Sequence, residues 1–327
     1  MTDIATPDTE TLRITLEGLR LRGAIFFRAE YTEDWAYESP TAADLATILA
    51  PGRDRLTLFH IVASGSCTVV LDQGQSRSAQ SGDVIVLPYG HRHIMHGRSF
   101  CDEVPPIASL MAPPPWTTLP VVRHGGGGAK TDVVCGYLVS DDPLFDPGLA
   151  ALPEVFVVHP EGAAADWMHA SIVYALEGSP SARTRPRLAE LLLVEVLRTH
   201  LSSLPNPTVA ENRWLAALRD PVLAPALAAV HRHPGHHWTV AELAEKSLVS
   251  RSTLDQRFRD LLGISPMRYL ADWRMHVAEN LLQDTTLTVG AVADRVGYQA
   301  VEAFSRAFRR RHGIPPADWR AALTTAR

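Results

Sequence analysis

The sequence predicts an α+β protein with two domains: an N-terminal barrel of antiparallel strands followed by helices, and an all-α C-terminal domain with two helix-turn-helix units joined by a long helix. Short strand-like segments recur at regular spacing in the first half of the chain. Helical periodicity replaces them after about residue 160, and one helix-turn-helix pattern occurs twice within residues 239–320. The 327 residues suffice for two cores. We place a strand-rich domain at 1–160, a helical dimerisation or linker region at 161–221 and the repeated module at 222–327.

The first region is predicted to consist mainly of strands. Segments rich in β-branched and aromatic residues alternate with turn-forming Gly, Ser and Asp. The predicted strands are 24–31, 56–63, 67–72, 83–88 and 132–139. A short helix is expected before them, over residues 12–19. Strands of this length and spacing are typical of an antiparallel sandwich or barrel.

The segment GDVIVLPYGHRH, residues 82–93, makes this prediction more specific. Its spacing resembles the second motif of the cupin barrel, with matches at Gly82, Pro88, Gly90 and His93. Glycine and proline at these places permit tight turns around a buried strand. His93 is expected to point into the barrel.

The metal centre of many cupins is incomplete in this sequence. Their first motif has a His-x-His pair followed by Glu, whereas this chain offers only His60 there. His60, His93 and Cys135 remain candidates for contact with an effector or a metal, and imidazole with thiolate donors would favour zinc. The alternative is that all three side chains are ordinary barrel packing. If the three side chains are packing, the protein requires no cofactor. If they are ligands, a divalent metal such as zinc is expected.

Two helices are predicted to follow the strands, over 165–178 and 186–204. The apolar stripe of the second helix suits either core packing or dimerisation, and we favour a homodimer. Several prolines between 205 and 234 then mark a hinged joint, with the domain boundary near 205–222.

The first helix-turn-helix unit is predicted over 239–262. Thr239 can cap its first helix, with Glu242 at the capping-box position, and Ser250 can cap its second helix. The second helix turns short polar and basic side chains outward, as a helix in the DNA major groove requires. The candidate DNA contacts are Arg251, Ser252, Asp255, Gln256 and Arg259.

The second unit, over 288–312, repeats this pattern with more positive charge. Its candidate DNA contacts are Val301, Glu302, Ser305, Arg306, Arg309 and Arg310, with Arg311 continuing the basic run. Arg306 suits bidentate recognition of guanine, and the arginines after it suit phosphate contacts. A connecting helix over 266–284 would be about 27 Å long, which can hold both recognition helices about one DNA turn apart.

The charge distribution agrees with a nucleic-acid-binding module in the last third. Residues 222–327 carry 14 Lys and Arg against 10 Asp and Glu, whereas the whole chain has a net charge of −5. Three distant cysteines do not suggest a disulfide framework, and no segment resembles a signal peptide or a membrane span. The sequence therefore predicts a cytoplasmic protein with no membrane partner.

Residues 224–321 resemble the AraC/XylS family of transcription regulators. The resemblance lies in DRVGYQAVEAFSRAFRRRHGIPPADWR (294–320) and SRSTLDQRFRDLLGISPMRYL (250–270), and the N-terminal half resembles the members with a cupin-type sensor domain. It implies a regulator, not an enzyme, that binds double-stranded promoter DNA, recruits RNA polymerase and acts as an activator. The signal would be a small molecule, a metal or an oxidant. The alternative is a metal-dependent cupin enzyme with an appended DNA-binding domain.

Overall fold

A computed structural model describes residues 22–51, 55–101, 103–113, 116, 118–139, 152–177, 186–203 and 213–325. The predicted helix over 12–19 lies outside these residues. The chain divides into two compact units between Leu204 and Pro205. The domain limits 1–160, 161–221 and 222–327 stay predictions.

The N-terminal unit is rich in strands, as predicted. The strands are β1 (Arg22–Thr32), β2 (Ala36–Ser39), β3 (Thr57–Ser64), β4 (Ser66–Leu71), β5 (Ser76–Gln80), β6 (Val84–Leu87), β7 (His93–His96), β8 (Val121–Gly125), β9 (Lys130–Val139) and β10 (Phe156–Val158). They form a six-stranded sheet in the order β10-β6-β3-β9-β1-β8 and a four-stranded sheet in the order β2-β7-β4-β5. The predicted antiparallel barrel differs from the structure in two respects. The described strands form two open sheets that do not close into a barrel, and β1 and β8 pair in parallel.

Between the sheets lies a core with a cluster of large aromatic side chains. Tyr31 and Trp35 stack with ring centroids 4.0 Å apart, and Tyr37 lies against both rings. Two short helices border this core, α1 (Ala42–Leu49) and α2 (Ile107–Leu110). Thr41 begins α1 by accepting a hydrogen bond from the Asp44 amide.

The two helices predicted after the strands are present as α3 (Gly162–Glu177) and α4 (Pro186–Ser203). Helix α4 packs against β1 and buries Leu192, Val196 and Leu197, whereas Leu191 is 56% exposed. Packing thus uses only part of the apolar stripe.

The C-terminal unit is entirely helical over its described residues. Its helices are α5 (Arg213–Arg219), α6 (Leu223–Arg232), α7 (Val240–Lys246), α8 (Arg251–Leu262), α9 (Pro266–Asp284), α10 (Val289–Arg295), α11 (Val301–His312) and α12 (Pro316–Thr325). Helices α7 and α8 form the first helix-turn-helix unit, α10 and α11 form the second, and α9 connects them over the predicted residues. No helix in the described part of the chain is long and apolar enough to cross a bilayer.

Candidate DNA interface and ligand cavity

The first helix-turn-helix unit begins each helix with a side-chain cap, as predicted. The Glu242 amide donates to Thr239 Oγ1, and the Thr239 amide donates to Glu242 Oε2 at 2.8 Å, which completes a capping box. Ser250 Oγ accepts from the Thr253 amide at 3.1 Å. Helix α8 ends at Gly263, whose φ of +72° gives a left-handed C-cap.

Helix α8 separates an apolar face from a polar one. Leu254, Phe258 and Leu261 are buried. Of the five predicted DNA contacts on the other face, Arg251, Ser252, Gln256 and Arg259 are exposed and Asp255 is partly exposed. The structure therefore brings these five side chains to one accessible face.

Several of these side chains are already paired along the helix. The Arg259 guanidinium lies 2.8 Å from the Asp255 carboxylate. Gln256 Nε2 donates to Asp260 Oδ1, also at 2.8 Å. Contact with a base edge or a phosphate must compete with these pairs, although exposed pairs at this spacing contribute only about 0.2–0.5 kcal/mol each.

The second unit has the same helical arrangement with a different start to its recognition helix. Thr288 caps α10 by accepting from the Ala291 amide, but Ala300 at the N-cap of α11 has no side-chain hydrogen bond to offer. Phe304, Ala307 and Phe308 form the buried face of α11. The helix again ends at a left-handed glycine, Gly313.

The outward face of α11 carries the predicted DNA contacts of the second unit. Val301, Glu302, Arg306, Arg309 and Arg310 are exposed, and Ser305 is partly exposed. Within the described part of the chain, the side chains of Arg306 and Arg309 take part in no ion pair or hydrogen bond. Both guanidinium groups are therefore available to an anionic partner without breaking an internal pair.

Arg311, which the sequence grouped with these phosphate anchors, is engaged inside the domain. Its Nε lies 3.2 Å from Glu279 Oε1 on α9, and His312 Nε2 lies 2.7 Å from the same oxygen. The Glu279 side chain is only 4% exposed. Since a buried carboxylate is costly without a partner, Arg311 fixes the end of α11 to the connecting helix.

Arg274 on α9 ties the second turn to the loop between α6 and α7. Its guanidinium donates to the carbonyl oxygens of Pro234 and His236, both at 2.8 Å. The turn glycine Gly297 lies so close that an added Cβ would stand 2.6 Å from the Gly235 oxygen and from Arg274. These contacts hold the two helix-turn-helix units in one arrangement.

Arg257 on α8 is another structural arginine that sequence reasoning missed. Its Nε donates to Asp220 Oδ2 at 2.9 Å, while Asp220 Oδ1 accepts from the amides of Val222 and Leu223 before α6. The two residues are 37 positions apart, so no local signal indicates the pair.

Inside the N-terminal unit, the structure brings together His60, His93 and Cys135. All three are buried, and His60 Nδ1 lies 3.0 Å from Cys135 Sγ. The His60 and His93 ring centroids are 5.3 Å apart. His93 Nδ1 pairs with the His91 carbonyl at 2.9 Å, which confirms that His93 points inward.

Burial shifts the pKa of all three groups toward their neutral forms. Desolvation lowers the pKa of His60 well below 6.5, with a smaller contribution from His93, and lowers the pKa of His93 to about 4. It raises the pKa of the Cys135 thiol well above 9. Near pH 7 the site therefore holds two neutral imidazoles and a protonated thiol.

These three side chains do not form a preformed metal site. His60 Nδ1 lies 3.0 Å from Cys135 Sγ, so a metal that used both atoms would have to separate them and displace the thiol proton. Across the described ranges, no group of three or more His, Cys, Asp or Glu side chains is arranged to hold a metal.

An apolar cavity of about 120 Å³ opens beside His60. The cavity lies between the sheets and the helices α1 and α2, and Leu58, Phe26 and Met111 contribute to its wall. Both His60 Nε2 and His93 Nε2 are buried without a hydrogen-bond partner among the described residues. Because an unpaired buried polar atom costs about 1–3 kcal/mol, these nitrogens, like Trp35 Nε1 in the same core, lower the stability of this domain.

A strand-rich N-terminal domain and two helix-turn-helix units on a shared helix define a class of modular DNA-binding protein. Residues 10–202 match the family model described as Cupin, and residues 243–322 match the one described as Helix-turn-helix domain. The chain therefore belongs to the cupin family over its N-terminal part and carries a C-terminal helix-turn-helix domain of the AraC type. The resemblance found in the sequence is thereby confirmed.

Similar proteins come from several bacteria. A putative AraC-like transcription regulator of Streptomyces lividans is 42% identical over 163 residues, which span 49% of this chain and 53% of that protein. The chain thus spans about half the length of that relative. The transcriptional regulator AlkR of Acinetobacter baylyi is 28% identical over 80% of this chain and 87% of its own length. Among solved structures, the DNA-binding domain of AdpA in complex with a target DNA is 36% identical, covering 32% of this chain and 96% of that domain with a TM-score of 0.32.

Proposed function

We propose that the protein is a transcriptional regulator that binds double-stranded promoter DNA through α8 and α11. The observation that carries this proposal is the pair of helices with the same buried faces and the same exposed polar faces at the two ends of one connecting helix. A single polar helix face is ordinary solvated surface. Two matched faces on one spacer are what recognition of successive major grooves requires.

The connecting helix suits this spacing. Helix α9 has 19 residues, so its length is about 28 Å at a rise of about 1.5 Å per residue. Successive major grooves on one face of B-DNA lie about 34 Å apart. The contacts of Arg274 and Arg311 would keep the two recognition helices at this separation.

The cupin domain, in this proposal, senses a small molecule. Its cavity, walled mainly by aliphatic and aromatic side chains, supports a bound effector. An effector alters DNA binding only if its affinity differs between two arrangements of the protein. By analogy with the family, the regulator acts in the cytoplasm as an activator that recruits RNA polymerase, and pairs as a homodimer.

The metal-dependent enzyme and the oxidant sensor find less support in the site. Both need a thiolate or an open set of metal ligands, whereas burial raises the pKa of Cys135 well above 9 and that of Cys67 to about 12. Metal analysis of the purified protein and thiol titration before and after mild oxidant test these alternatives. Stoichiometric metal with turnover, or rapid oxidation of Cys67, Cys101 or Cys135, would favour them.

DNA binding is tested by selecting bound fragments from genomic DNA and titrating the best fragment by fluorescence anisotropy over a salt series. We expect specific binding above competitor DNA, with affinity that falls steeply as salt rises. The absence of specific binding, or an Arg306→Ala variant with unchanged affinity, would overturn the site assignment.

A further inference from the structure

The cavity in the cupin domain has a lining that restricts its occupant. Its wall is built mainly from aliphatic and aromatic side chains, and no Lys, Arg, Asp or Glu belongs to the described residues that line it. The polar members of the wall are Tyr37, Ser39 and His60, and Tyr37 already donates its hydroxyl to Met95 Sδ. The occupant must therefore present mostly apolar surface.

His60 adds ring surface to the wall but no open hydrogen-bonding atom. The ring lies beside Leu58, two residues earlier on the same face of β3. Its Nδ1 contacts Cys135 Sγ, and its Nε2 is fully buried. The occupant is therefore held mainly by apolar contacts.

The same imidazole disfavours an anionic occupant. Burial holds the pKa of His60 well below 6.5, so the ring is neutral near pH 7. No Lys or Arg belongs to the described residues that line the cavity. A carboxylate placed here would lose its hydration without gaining an ion pair. The occupant is therefore neutral.

The volume limits the size of the occupant. An apolar cavity of about 150 Å³ holds a benzene molecule, whereas drug-sized ligands need about 300 Å³ or more. At about 120 Å³ the cavity suits a single small ring or a short alkyl chain.

We propose that this cavity binds a small, neutral, mainly apolar molecule, held by contacts with its aliphatic and aromatic wall. This inference rests on the proposed function only where it treats the bound molecule as the signal of the regulator. The binding itself is measured in the absence of DNA.

The test uses the full-length protein and three probes of similar size: phenol, toluene and benzoate. Isothermal titration calorimetry should show that phenol and toluene both bind, because the wall accepts apolar surface. Benzoate should give no detectable binding, because its carboxylate would lose its hydration in the cavity.

A pair of variants at the rim of the cavity keeps the test independent of changes in the core. Ala108 on α2 is exposed and lines the cavity, whereas its neighbour Ser109 is exposed and does not. Ala108→Phe should lower the affinity for phenol and toluene at least tenfold, and Ser109→Phe should lower neither affinity. Absence of phenol binding, benzoate binding as tight as phenol, or phenol binding insensitive to Ala108→Phe would overturn the proposal.

DNA titration of the same preparation separates this inference from the proposed function. Binding of phenol in this pattern without specific DNA binding would refute only the proposed regulatory function. One that binds specific DNA but no phenol would refute only the cavity assignment.

Discussion

The turn of the first helix-turn-helix unit contains Leu248 at a φ of 55°, whereas the second turn contains Gly297 at 81°. Leu248 is 92% exposed, so its left-handed backbone carries only a local cost of about 1–2 kcal/mol. Gly297 instead lies against Arg274 and the Gly235 carbonyl, where a side chain has no room. The first turn therefore tolerates side chains that the second excludes.

The two recognition helices differ in how far their polar groups are paired within the protein. Helix α8 begins with a hydroxyl cap from Ser250 and pairs Arg259 with Asp255. Helix α11 lacks a side-chain cap and leaves Arg306 without an internal partner among the described residues. The exposed face of α8 is thus partly paired within its own helix, whereas the exposed face of α11 directs more unpaired positive charge outward.

The largest expected effect is at the second turn. Gly297→Ala should destabilise α10 and α11 by about 2–5 kcal/mol, because it adds the left-handed penalty of about 1–2 kcal/mol to a steric overlap costing about 1–3 kcal/mol. Leu248→Ala, the matched change, should alter stability by less than about 0.5 kcal/mol. Hydrogen exchange of residues 289–312 and 240–262 in the full-length protein measures both effects. Equal losses would show that the two turns are equivalent.

The next effect is on specific DNA affinity. Arg306→Ala should cost about 1–3 kcal/mol if its guanidinium contacts a guanine. Gln256→Ala should cost less, because Gln256 must give up its hydrogen bond to Asp260 before it reaches a base. Anisotropy titrations at one salt concentration compare the two variants, and a greater loss for Gln256→Ala would reverse the ranking.

The smallest effect concerns the helix starts. Ala300→Ser should stabilise α11 by about 1 kcal/mol by supplying the missing cap, and Ser250→Ala should destabilise α8 by about the same amount. Exchange rates of the first-turn amides in each helix report these changes. No stabilisation by Ala300→Ser would mean that the α11 amides already have another partner.

Local rules allowed much of the C-terminal unit to be predicted from sequence. The caps at Thr239 and Ser250, the apolar face through Phe258 and the limits of α9 follow from patterns within a few residues. The pairs Arg257–Asp220 and Arg311–Glu279 join residues 37 and 32 positions apart and depend on tertiary packing. For that reason Arg311 was grouped with the phosphate anchors.

Prediction of the N-terminal unit from its sequence was limited in a similar way. The continuous apolar run of β3 and the alternating pattern of β4 were predictable, whereas β5 has the polar sequence SRSAQ and gives no such signal. The sequence identified His60, His93 and Cys135 as candidates. It did not reveal that His60 contacts Cys135 or that a cavity opens beside the ring, because both depend on how β3, β9 and α1 pack.

The salt dependence of DNA binding tests the central claim most directly, namely that the second recognition helix contributes more of the electrostatic affinity. Arg309→Ala should reduce the slope of log K against log salt by about 0.9, the value for one lost phosphate contact. Arg259→Ala should reduce it by clearly less, since Asp255 already offsets that charge. Equal reductions in the two variants, or a larger one for Arg259→Ala, would contradict the account.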